Sequence, residues 1–191
     1  MYYLLDTQDA EYPCRWIDDE PHIKDVNTRL GRKLDVTVPQ PLSFSLQPLD
    51  PLARDQGAEM PAVFVENYLL FRDDFIAALL ECGVNNFDMY TVEIEDPDNG
   101  AIHTNYKAVN ILGLVRAADL EKSDATVHDN VPLFDVDFEK LVLDPEKTFG
   151  LELFRLAEAN TAILIHKRVK DFLLMKGFSH VCFGGLETSA L

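Results

Sequence analysis

The chain has 191 residues, of which 47% are hydrophobic and 26% are charged, as in an ordinary soluble globular protein. Its 33 acidic and 17 basic residues give a formal net charge of −16, which argues against nucleic acid as the main partner because phosphate binding needs basic surface. No apolar run reaches ~18 residues and the start has no basic segment, so we expect neither a membrane span nor a signal peptide.

The first half of the chain predicts short strands and one helix. Tyr2–Leu5 is apolar and predicts an edge strand, whereas the polar residues 6–32 predict a loop with little regular structure. Apolar and polar residues alternate over 34–38 and again over 42–46, but prolines interrupt this stretch and favour edge or irregular strands. Helical spacing of apolar residues over about 71–82, with two aspartates in the first turn and a glycine after the end, predicts a helix.

The segment EDPDNG, residues 95–100, lies between two strand-like stretches, 87–95 and 106–115. Its carboxylates resemble part of a calcium loop, which needs oxygen ligands at its first, third, fifth and twelfth positions and glycine at the sixth. With the glycine so placed, Pro97 falls at the third position and Tyr106 at the twelfth, where neither is a suitable ligand. Asn-Gly between two strands instead favours a turn, so the sequence predicts a long central hairpin.

The remaining chain predicts an acidic loop, several strands and a second helix. Residues 119–130 form the acidic loop. The other predicted elements are a helix at about 167–176, a flexible tail at 183–187, and strands near 138–143, 153–156, 161–165 and 180–183. Strands that mostly follow one another, with two helices interspersed, predict an α+β fold with a mostly antiparallel sheet and a single domain over 1–191.

The sequence contains no recognisable catalytic or metal-binding pattern. The five histidines lie in five different segments, no serine lies in a GxSxG turn, and FGGLE at 183–187 lacks the spacing of a phosphate-binding loop. Cys14, Cys82 and Cys182 are far apart and odd in number, which predicts reduced thiols in the cytoplasm. Arg15 could lower the pKa of its neighbour Cys14, but no base lies nearby. We therefore expect no catalytic residue, no cofactor and no metal.

Two features of the sequence point to a protein partner. Trp16, the only tryptophan, is interpreted either as an anchor for a long loop or as part of an interface, where Trp and Arg are favoured. The second feature is a stretch of carboxylates that is either a solvated loop or a face that steers a basic partner: Asp119, Glu121, Asp124, Asp129, Asp135 and Asp137.

The order of several weak motifs resembles a bacterial protein family. The motifs are YYLL, Arg15-Trp16, PLSFSL, DDFIAALLECG, YKAVNILGLVRAADLEKS at 106–123, and LFRLAEANTAILIHKRVKDFLLMKGF. In this order and spacing they resemble the myxobacterial-type immunity proteins of polymorphic toxin systems, long classed as a domain of unknown function. His166 departs from the Ser or Asp that often opens the last helix of that family, and Ala117-Ala118-Asp119 departs from its Cys-hydrophobic-Asp.

The resemblance implies a non-catalytic protein that binds and neutralises a toxin made by the same cell and encoded next to it. The expected partner is that toxin, not nucleic acid or a membrane. Two other classes stay open. One is a small-molecule-binding or enzymatic domain with a site assembled from distant residues, which a deep pocket lined by His, Arg and carboxylate groups would favour. The other is a homodimer in which the YYLL edge pairs across two subunits.

Overall fold

The computed structural model describes residues 1–7, 12–53, 56–128 and 135–187. The helices are α1 (Asp73–Glu81) and α2 (Lys167–Met175). The strands are β1 (Tyr2–Asp6), β2 (Ile17–Asp19), β3 (Leu42–Leu46), β4 (Val63–Val65), β5 (Leu69–Arg72), β6 (Phe87–Asp96), β7 (Ala101–His103), β8 (Tyr106–Ile111), β9 (Leu114–Val115), β10 (Asp124–Val127), β11 (Val136–Lys140), β12 (Leu153–Leu156), β13 (Ile163–His166) and β14 (Cys182–Gly184). Short 3-10 helices cover Thr28–Leu30 and Pro145–Thr148. No helix in these ranges is long and apolar enough to cross a membrane.

Two large sheets and one separate hairpin contain the strands. The seven-stranded sheet has the order β2-β3-β6-β8-β5-β4, with β7 paired to β6, and the five-stranded sheet has the order β14-β1-β13-β12-β9. Only the β3–β6 and β9–β12 pairs are parallel among the strand pairs described. The predicted α+β fold with mostly antiparallel strands is confirmed, and β6 and β8 lie at the centre of the larger sheet as the predicted hairpin requires.

The tip of that hairpin is a longer turn than Asn-Gly usually makes. Asp96 pairs with Ala101, so the chain reverses through the four residues 97–100. Gly100 has φ +72° and its N–H donates to the carbonyl of Asp96 at 2.8 Å. Gly100 alone supplies the left-handed conformation, because Asn99 is not among the residues with positive φ.

Buried side chains from both sheets and both helices form the core. One cluster joins α1, α2 and the facing sides of the two sheets through residues such as Phe75, Leu79 and Val169. The opposite side of the five-stranded sheet packs against the β10–β11 hairpin, and the opposite side of the larger sheet packs against the loop before β3. The five-stranded sheet is therefore covered on both faces, which explains its nearly continuous apolar strands.

The structure corrects three predictions in the first half of the chain. Helix α1 begins at Asp73, because 69–72 forms β5 and pairs with β8. The strand predicted at 34–38 is absent, since its residues 35–37 are exposed and pair with no neighbouring strand. Strand β3 is not at an edge, because it lies between β2 and β6.

The strand predicted over 106–115 is divided between the two sheets. β8 ends at Ile111, and Gly113, with φ +155°, lies between it and β9 in the smaller sheet. Gly113 bonds to two neighbouring segments: its N–H donates to Gly31 and its carbonyl accepts from Arg155, both at 2.9 Å. These bonds attach the crossing between the two sheets to the segment at Gly31 and to β12.

Strand β1 is not an edge strand either. Leu4 pairs with Leu164 on one side and with Gly184 on the other, so the second half of YYLL lies between two strands, whereas Tyr2 and Tyr3 pair with β13. The predicted flexible tail at 183–187 is also wrong, because Phe183 and Gly184 belong to β14. Leu186 continues the contact, since its carbonyl accepts from the N–H of Leu141 at 2.9 Å.

Candidate functional site

The turn at 96–100 binds an internal cation through its carboxylates. Arg15 is 2% exposed, and its guanidinium donates to Asp98 at 2.6 Å and to Asp96 at 3.1 Å. Asp96 also accepts from the Asp98 N–H at 3.0 Å and from the Asn99 amide at 2.9 Å. Within the described ranges, no group of three or more His, Cys, Asp or Glu side chains could hold a metal ion.

The acidic stretch predicted as a loop folds partly into a hairpin, here named the acidic hairpin: β10, β11 and Asp135, which directly precedes β11. The strands are antiparallel, with Thr126 opposite Asp137. Val136 and Phe138 are each 1% exposed and pack against the five-stranded sheet. Because side chains alternate along a strand, the residues on either side of them point to solvent. This exposed row consists of Asp135, Asp137 and Glu139.

The structure places most of the predicted acidic residues on this hairpin or just before it. Asp124, Asp135 and Asp137 are exposed on the hairpin, and Glu121 is exposed in the preceding turn. Asp129 lies outside the described residues. The sequence interpretation missed Glu139, although the alternation of acidic and apolar residues in DVDFE indicates that it shares a face with its neighbours.

Asp119 has a structural role that sets it apart. Its carbonyl accepts from the N–H of Ser123 at 2.9 Å and from the hydroxyl of the same residue at 2.7 Å. Its carboxylate accepts from Lys122 at 2.6 Å, and this hydrogen bond lowers the pKa of Asp119. Asp119 therefore closes the turn before β10 and offers less charge to a partner.

Few cations neutralise the exposed row. The ammonium group of Lys140, at the end of β11, lies 3.7 Å from the carboxylate of Glu187, which is outside the row. The imidazole of His128 lies 2.7 Å from Asp137, and this hydrogen bond, with the charges of Asp137 and Asp135, raises the pKa of His128. Asp124 and Glu139 have neither an ion pair nor a side-chain hydrogen bond within the described part of the chain. The acidic hairpin thus keeps a negative potential toward solvent.

Trp16 combines features of both interpretations made from the sequence. It precedes β2, and its carbonyl accepts from the N–H of Gln47 at 3.0 Å. The ring is half-buried, and its Nε1 is buried without a hydrogen-bond partner among the described residues. Trp16 lines an open cavity of about 320 Å³ with four neighbours from the ends of β1 and β4: Asp6, Thr7, Val65 and Glu66.

A second cleft, of about 220 Å³, brings ionisable residues together from distant segments. Its walls include Cys14, Glu59, Arg72 and His180, and Tyr12 stacks on His180 with ring centroids 4.0 Å apart. The cleft joins His, Arg and carboxylate groups, which are the residue types named above for a small-molecule site.

The thiol of Cys14 in this cleft is not activated as a nucleophile. Burial raises the pKa of Cys14, so the expectation that Arg15 could lower it is wrong; the guanidinium is turned toward Asp96 and Asp98. Arg72 donates to both carboxylate oxygens of Asp74, at 2.7 and 2.9 Å.

Comparison with known proteins adds no assignment. None of the protein-family models matches the chain, and no curated protein matches its sequence.

Proposed function

We propose that this chain is an immunity protein that binds and neutralises a cognate bacterial toxin through the acidic hairpin, without chemistry of its own. The observation that carries the proposal is the exposed row of Asp135, Asp137 and Glu139, with Asp124 on the paired strand. The sequence resemblance supplies the class of protein, and the charge supplies the mode of recognition. A basic toxin surface is the chemical complement of this row.

The distribution of charge supports this choice of surface. The carboxylates of Asp96 and Asp98 already bind the buried guanidinium of Arg15 and therefore present less charge to a partner. Those of the acidic hairpin stand on strands that are anchored by Val136 and Phe138. A row of like charges held by a buried pair of side chains steers a basic protein toward this surface and raises the encounter rate, most strongly at low ionic strength.

Co-expression with the product of the adjacent gene tests the function. We expect the neighbouring product to arrest growth and this protein to restore it. A neighbouring product that is harmless, or a toxicity that this protein leaves unchanged, would rule the proposal out.

A matched pair of double variants tests the surface. Asp135→Asn with Asp137→Asn removes two charges from the hairpin, while Glu93→Gln with Glu95→Gln removes two exposed charges from β6. We expect the hairpin variant to lower the association rate constant with the toxin by about 10-fold at low salt, and the β6 variant to change it less than about 2-fold. Equal effects of the two variants would mean that only total charge matters.

The cleft beside Cys14 favours a second candidate function, the binding of a small molecule. Its Glu59, Arg72 and His180 converge from three segments of the chain. A thermal-shift screen of small polar compounds on the wild type and on His180→Ala would decide. Stabilisation of the wild type alone would support this candidate, and the same melting temperature throughout the screen would count against it.

A further inference from the structure

The cavity beside Trp16 has one aromatic wall and two acidic ones. Because Nε1 is the ring's only polar atom and is buried, the exposed surface of the Trp16 side chain is entirely carbon. Asp6 and Glu66 line the same cavity from the ends of β1 and β4. An aromatic face flanked by carboxylates is the arrangement that binds an ammonium or guanidinium group, through cation–π attraction and charge-assisted hydrogen bonds.

Negative charge is crowded at Glu66. Partial burial and the nearby charges of Glu20 and Asp6 raise the pKa of Glu66. The carboxylate of Glu20 accepts hydrogen bonds from the side-chain amide of Asn67 at 2.8 Å and from the N–H of Tyr68 at 3.3 Å. Glu66 itself has no hydrogen bond or ion pair in the part of the chain that the structure describes. A cation placed here would relieve the repulsion among the carboxylates.

Hydrogen bonds from backbone N–H groups hold the walls of the cavity in place. The hydroxyl of Thr7, next to Asp6, accepts from the N–H of Val65, which joins the end of β1 to β4. One oxygen of Asp6 accepts from the Thr7 N–H at 2.6 Å. The carbonyl of Trp16 is bound to the segment after β3. The cavity is therefore formed by three fixed strand ends, which limits the entropy lost on binding.

We propose that this cavity receives one lysine or arginine side chain of a partner protein, with its cationic group on the ring of Trp16 and between Asp6 and Glu66. The partner is a basic protein by charge complementarity with a chain whose net charge is −16. This proposal rests on the proposed function for the identity of that partner, the cognate toxin. A metal ion is a poorer occupant, because the two carboxylates are the only hard anionic ligands among the five lining residues.

The fluorescence of the only tryptophan reports directly on this cavity. The whole chain is titrated with acetyl-Gly-Arg-Gly-amide and with the same peptide carrying neutral citrulline in place of arginine. We expect a saturable change for the arginine peptide with a Kd on the order of 1–10 mM, and no saturation for the citrulline peptide over the same range. The same response to both peptides would overturn the proposal.

Matched variants locate the binding. Glu66→Gln should weaken the arginine peptide at least ~5-fold, and Glu93→Gln, an equal change of charge elsewhere on the surface, should leave its Kd within ~2-fold. Circular dichroism confirms that both variants fold. Unchanged binding by Glu66→Gln would overturn the assignment. Tighter binding of free arginine than of the peptide would replace the protein partner by a metabolite and also overturn it.

These titrations need no toxin, so the two proposals fail separately. If the arginine peptide binds but the neighbouring gene product is not neutralised, the immunity function and the identity of the partner as a toxin are lost, while the cation site stands. If the product is neutralised but Trp16 does not respond to the arginine peptide, only the cavity assignment is lost.

Discussion

Replacing Arg15 by alanine removes the guanidinium that binds the carboxylates of Asp96 and Asp98 in the turn at 96–100. Asp96 is 7% exposed, so its carboxylate would be left buried without a cationic partner, a defect that costs about 3–5 kcal/mol. Two features place the loss at the lower end of that range. Asp96 retains hydrogen bonds from the Asp98 N–H and the Asn99 amide, and the side chain of Asp98 is 32% exposed and can turn to water. We expect a loss of about 3 kcal/mol in the free energy of unfolding.

Urea and thermal unfolding, followed by circular dichroism, measure this loss. For a chain of this size, 1 kcal/mol shifts the melting temperature by roughly 2–4 °C, so we expect Arg15→Ala to lower it by about 6–12 °C. Arg32→Ala is the control, because Arg32 lies 4.0 Å from Asp35 and both side chains are at least 68% exposed. Its loss should stay below about 0.5 kcal/mol.

A double variant separates lost charge pairing from lost packing. Adding Asp96→Asn to Arg15→Ala removes the unpaired buried charge, and we expect it to recover at least ~1 kcal/mol of the loss. A destabilisation by Arg15→Ala below about 1 kcal/mol, or no recovery in the double variant, would refute the view that Asp96 depends on Arg15.

Three further results are expected. Gly31→Ala should lower the free energy of unfolding by ~3 kcal/mol or more, since φ is +61° and an added Cβ would lie 2.5 Å from a backbone nitrogen. Gly177→Ala is the control, because it has open space around it and should lose only about 1–2 kcal/mol in urea unfolding. Arg155→Met should be neutral or stabilising by up to ~2 kcal/mol in the same assay. The Arg155 guanidinium has two buried nitrogens without partners in the described chain, and burial lowers its pKa to about 10. A loss beyond ~2 kcal/mol would contradict this prediction. NMR titration should give His128 a pKa above its ordinary value, reduced in Asp137→Asn. The pair needs an imidazolium and a carboxylate, so its stabilisation is present in mildly acidic solution just below the ordinary pKa of histidine and is lost as the pH rises through the raised pKa.

The sequence predicted elements well where one periodicity dominated. Helix α2 was predicted at about 167–176 and is found at Lys167–Met175, and the strand predicted at 87–95 is β6. Where two periodicities overlapped, the prediction was wrong: the apolar residues before Asp73 fit a helix face but are held in β5 by β8. The spacing of apolar residues within a segment does not show whether another strand lies beside it to pair with, and that pairing decides between helix and strand.

The candidate sites depended more strongly on distant residues. Trp16 and the acidic residues were selected from composition, and the alternation in DVDFE could have added Glu139. The residues that line a cavity with Trp16 could not be chosen without strand positions. Arg15 reaches carboxylates that are 81 and 83 positions away in the chain. A pairing over such a separation leaves no local pattern, so sequence reasoning placed Arg15 beside Cys14 and missed its role.

The sequence by itself determined the α+β class, the absence of a calcium-loop pattern at 95–100 and the excess of negative charge. These follow from side-chain period, ligand position and composition, which are all local or additive properties. Only the tertiary structure decided that β1 lies inside a sheet, that the turn binds Arg15, and that the acidic stretch stands on a hairpin with one buried face. Those facts depend on which distant strands and side chains exclude water from one another, and burial is a property of the folded chain as a whole.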